Sequence, residues 1–74
     1  MEGKVIRIVE GEKFNTFLIW LKESGVCGRT YTGATYRNWE SWRDIKVGDY
    51  IGGLAWKDEE RKILDADSPV HLIQ

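Results

Sequence analysis

Seventy-four residues suffice for one domain spanning 1–74, because chains divide into separate cores only at several times this length. Eleven Lys and Arg against twelve Asp and Glu leave a formal charge of −1, so a basic nucleic-acid footprint is absent at whole-chain level. The single cysteine, Cys27, excludes an internal disulfide framework and a zinc site of paired cysteines, and the longest uncharged apolar run, Phe14 to Leu21, is far below the ~20 residues of a membrane span.

Along the chain, eight glycines punctuate runs of β-branched and aromatic residues, the signature of strands and turns. The first run, Lys4 to Glu10, alternates Val5, Arg7 and Val9 with Ile6 and Ile8, a strand with both faces partly covered. After the turn at 10–13, Phe14 to Lys22 places Phe17, Ile19 and Leu21 on one face and Thr16, Leu18, Trp20 and Lys22 on the other. The first set is the better core face. Val26 to Tyr36 favours a third strand through Thr30, Tyr31, Thr32, Thr35 and Tyr36, with bends expected at Gly28 and Gly33. From Asn38, a plausible N-cap, Trp39, Trp42 and Ile45 recur at helical spacing for one or two turns. Val47-Gly48-Asp49 reads as a tight turn. A fourth strand follows from Asp49 to Trp56, kinked at Gly52-Gly53, then a charged hairpin and a fifth strand from Lys62 to Ala66. Pro69 breaks that strand, and Val70 to Ile73 resumes an extended tail.

The expected class is therefore all-β, with five strands and one helical link between the third and fourth. Its expected interior is Ile6, Ile8, Phe17, Ile19, Leu21, Ile51, Leu54, Ile63 and Leu64, although Ile63 and Leu64 point opposite ways in a regular strand. Trp39 and Trp42 on the link are placed to plug an open barrel end, and Cys27 reads as a small buried hydrophobe. The order β-β-β-α-β-β, with Ile45-Lys46-Val47-Gly48-Asp49-Tyr50-Ile51 leading into the fourth strand, resembles OB-fold single-stranded nucleic-acid-binding domains. The resemblance is to the superfold; it implies a five-stranded barrel that binds on strands two and three and two flanking loops.

The chemistry-bearing residues point the same way. Arg29, Tyr31, Tyr36, Arg37, Trp39, Trp42 and Arg43 fall within fifteen residues, and single-strand binders need flat side chains for bases beside cations for phosphates. Strand parity adds Trp20 and Lys22, so the candidate binding set is Trp20, Lys22, Arg29, Tyr31, Tyr36, Arg37 and Arg43, with Trp39 and Trp42 read as core. Residues 26–47 carry Arg29, Arg37, Arg43 and Lys46 against Glu40 and Asp44, whereas 57–67 is acidic. Asp58, Glu59, Glu60, Asp65 and Asp67 lack the spacing of a calcium loop and read as a hairpin tip and turn formers. His71 stands alone, and no catalytic set or phosphate loop is present, so the expected function is non-catalytic, with no cofactor or metal. The expected partner is single-stranded DNA or RNA with little sequence preference; the alternative is a protein-interaction or assembly module of the same fold. A lone thiol and the lack of a signal-like start lead to a cytoplasmic expectation, and scarce Met, Asn and Gln match the composition of hot-growing organisms.

Overall fold

A computed structural model describes residues 1–73. The alternating runs extend as β1 (Gly3–Val9), β2 (Asn15–Leu21) and β3 (Cys27–Thr32), an antiparallel meander. One turn of helix, α1 (Trp39–Trp42), leads to β4 (Tyr50–Gly52), β5 (Trp56–Asp58), β6 (Ile63–Leu64) and β7 (His71–Leu72). All seven described strands join one sheet in the order β5-β6-β3-β2-β1-β4-β7, with β3 and β6 parallel and the other pairs antiparallel.

That sheet is curled. Laid flat, β4 and β5 would stand five strand spacings apart, about 24 Å, yet residues 53–55 are all that separate them and span at most about 14 Å from Gly52 to Trp56. The backbone shows the hand-over: the Leu54 N–H donates to the Met1 carbonyl (3.0 Å), while the next carbonyl, of Ala55, accepts from the Asp65 N–H (2.8 Å). Gly53 makes the corner at φ +79°, where a Cβ would lie 2.3 Å from the Pro69 carbonyl oxygen.

The strand count thus differs from the expected five. The run from Asp49 to Trp56 is divided at Gly53, and the tail adds β7, whose residues Leu72 and His71 face Ile51 and Gly52. The Lys62–Ala66 run reduces to Ile63–Leu64, because Lys62 takes a left-handed φ of 60° in the hairpin turn.

The core holds Val5, Phe17, Ile19, Leu21, Trp42, Ile45, Ile51, Leu54 and Leu64. Three expected core residues, Ile6, Ile8 and Ile63, stand outside that set. Register places Val5 opposite Ile19 and Arg7 opposite Leu18, so Ile6 is the extra residue of a β-bulge and stands 46% exposed. Ile8 returns to the inward side opposite Phe17, packed partly buried against the core. Ile63 is half-buried beside Arg29 in register, and Leu64 faces in. Cys27, expected to be buried, is exposed: Gly28, Thr30 and Thr32 take the inward positions of β3 and leave Cys27, Arg29 and Tyr31 outward.

The helical link is shorter than the 38–45 stretch, and Asn38 makes no side-chain cap. Its carboxamide instead accepts from the Thr32 hydroxyl and donates to Asp67 (3.1 Å), tying the link to β3 and to the turn before Pro69. Trp42 is 0% exposed, 5.0 Å centroid to centroid from Phe17, and its indole N–H donates to the Ala66 carbonyl (3.0 Å). Trp39 is only partly buried, tilted against Phe17 at 6.4 Å. No described helix is long and apolar enough to cross a membrane.

Candidate nucleic-acid interface

Side chains that do not fill the core stand on the outer face of β1, β2 and β3, and the registers arrange them in rows. Tyr50, Lys4, Trp20 and Cys27 form one row across four strands; Arg7, Leu18 and Arg29 form the next, and Val9, Thr16 and Tyr31 the third. Lys22 continues the face past β2, its N–H donating to the Glu2 carbonyl (2.9 Å). The three strands contain no Asp or Glu; Lys4, Arg7 and Arg29 stand on them and Lys22 just past β2, next to Glu23, on one side of a chain whose net charge is −1. Among the described residues, none of these four enters an ion pair.

Aromatic rings interleave with the cations. Trp20 is 42% exposed and Tyr50 53%, and the Lys4 ammonium lies 5.6 Å from the Tyr50 ring centroid. At the far end Tyr31 is braced edge-on by Phe14 at 5.4 Å, which fixes the ring while leaving it half-buried. A groove of about 430 Å³ opens at the near end, lined by Glu2, Gly3, Trp20, Lys22, Tyr50 and Ile73. The Glu23 carboxylate accepts from the Glu2 N–H (3.1 and 3.3 Å) beside it. Hydrogen bonds from its own backbone N–H and from that of Glu2 hold this carboxyl below the usual range.

Of the seven expected binding residues, the sheet brings together Trp20, Lys22, Arg29 and Tyr31. The other three stand on the segment between β3 and β4. Tyr36 is exposed in a hollow with Glu12, Lys13 and Thr35 of the two adjoining turns. Arg37 faces Asp67 and Arg43 faces Asp44, both at 3.7 Å. Lys4, Arg7 and Tyr50 were not among the expected residues. The bulge at Ile6 sets where Arg7 points, and only cross-strand register places Tyr50 beside Lys4. The acidic residues serve turns: Asp58 accepts from the Arg61 N–H (3.2 Å), Asp65 from the Asp67 N–H (2.9 Å) and Asp49 from the Lys46 N–H (2.8 Å).

In comparisons of the chain with protein-family models, with curated proteins and with solved structures, nothing matches.

Proposed function

We propose that this chain is a non-catalytic module of OB type that binds single-stranded DNA or RNA on the outer face of β1, β2 and β3. Counting the run interrupted at Gly53 as one strand and β7 as an addition at the edge gives the order β-β-β-α-β-β, which supports the fold part of this reading. The observation that carries the function is the charge segregation: Lys4, Arg7 and Arg29 on three strands without an acid and Lys22 just past β2, none with an ion-pair partner among the described residues, interleaved with Trp20, Tyr31 and, from β4, Tyr50. Exposed rings supply stacking surfaces of about 1–3 kcal/mol per base, and the cations follow the phosphates.

The test is titration of tryptophan emission with a thymine strand of 12 nucleotides at several salt concentrations. Binding should quench emission, with an affinity that falls as salt rises, by a log–log slope of about −3 if all four cations meet phosphates. Absence of binding at low salt, together with a protein–protein association that Tyr31→Ala weakens, would favour an interaction or assembly module instead.

A further inference from the structure

The groove at the near end of the face carries an inference that rests on the binding reading above and goes beyond it. Trp20 and Tyr50 both line it, two strands apart on either side of Lys4, about 10 Å at the backbone. Lys4 carries its ammonium over the Tyr50 ring, so Trp20, 42% exposed, is the stacking surface that the groove offers. Gly3 and Ile73 complete the apolar lining, and Glu2 and Lys22 are its charged members. The single acid of the groove therefore lines it together with Trp20, on an otherwise cationic face.

An aromatic groove with one carboxylate also suits a cation, but the Lys4 ammonium already lies over Tyr50 and Lys22 lines the groove, so a second cation is repelled. A planar group attached to an anionic chain meets both features: the ring stacks on Trp20 and the chain's phosphates meet Lys4 and Lys22. Among the unpaired bases, the carboxylate separates them by hydrogen bonding. An ionised carboxylate only accepts, through two adjacent oxygens. Guanine alone presents two adjacent N–H donors, N1–H and the 2-amino group, on its pairing edge. Adenine and cytosine set a ring-nitrogen acceptor beside their amino group, and thymine and uracil flank one N–H with two carbonyls. We infer that this groove is a pocket for a single unpaired guanine, stacked on Trp20 and read by the Glu2 carboxylate.

The test compares 12-nucleotide thymine strands carrying one central guanine, inosine or adenine with the all-thymine strand, by quenching of tryptophan emission. The guanine strand should bind about tenfold more tightly than the all-thymine strand, the size of discrimination that a bidentate base contact gives. Inosine, which lacks the 2-amino group, should lose most of that gain, and adenine all of it. Glu2→Gln should remove the preference, so that the guanine and all-thymine strands bind alike; Glu2 is exposed and only its backbone is bonded to neighbours, so the variant keeps the fold. Equal affinity for all four strands would overturn the guanine pocket and leave the binding face standing, as would a preference that survives in Glu2→Gln. Failure of every strand to bind at low salt would overturn both.

Discussion

Two regions of this chain look alike as sequence and differ as structure. The outer face of β1, β2 and β3 and the segment from Tyr36 to Arg43 both interleave arginine with large aromatic rings. On the sheet, Trp20 and Tyr31 point away from a core that Phe17, Ile19 and Leu21 already fill, and the neighbouring cations have no ion-pair partners among the described residues. In the link, Trp42 is itself core and Arg37 and Arg43 face carboxylates. A basic-aromatic cluster thus becomes a surface only where other residues satisfy the interior. In the link the same composition supplies part of the core instead.

Substitutions should separate the regions by kind of effect. Trp42→Ala removes a fully buried indole and its hydrogen bond, and should cost about 3–5 kcal/mol, most of the stability of so small a domain. Thermal melting followed by circular dichroism checks this, and an unchanged melting temperature would contradict the core role of Trp42. Trp20→Ala and Tyr31→Ala should instead leave melting nearly unchanged and weaken strand binding by about 1–3 kcal/mol each, read by fluorescence anisotropy. Arg29→Ala should reduce the salt slope of binding by about 0.7, whereas Arg43→Ala, outside the face, should leave the slope as it was.

The smallest expected effect is on acid stability. The hydrogen bonds to Glu23 lower its folded pKa, so its contribution is present above the unfolded carboxylate range and is lost as pH falls through the lowered value. Glu23→Gln should therefore melt slightly below wild type at neutral pH, with the difference closing on acidification through that window.

Legibility in the sequence followed the range of the forces involved. Strict alternation in Phe17, Ile19 and Leu21 revealed the inward face of β2 and, by parity, the exposure of Trp20. The turn at Gly48-Asp49 was legible because its chemistry is local: Gly48 adopts φ +98° and the Asp49 carboxylate bonds back to residue 46. Ile6 was not, since both parities of β1 are apolar and only pairing with β2 locates the bulge. Cys27 and Tyr50 depended likewise on neighbours distant in sequence. Arg37 and Arg43 carry the right chemistry for a binding face; Arg43 pairs with its neighbour Asp44, whereas the Arg37–Asp67 pair joins residues far apart in sequence and arises only in the folded chain.

The most direct test of the central claim follows backbone amide and indole resonances by heteronuclear NMR while a 12-nucleotide single strand is added at low salt. The largest shifts are expected at Lys4, Arg7, Leu18, Trp20, Arg29 and Tyr31, with the Trp20 indole moving and the buried Trp42 indole still. Shifts confined to 36–43, or no shifts at saturating strand, would contradict the assignment of the outer sheet face as the binding surface.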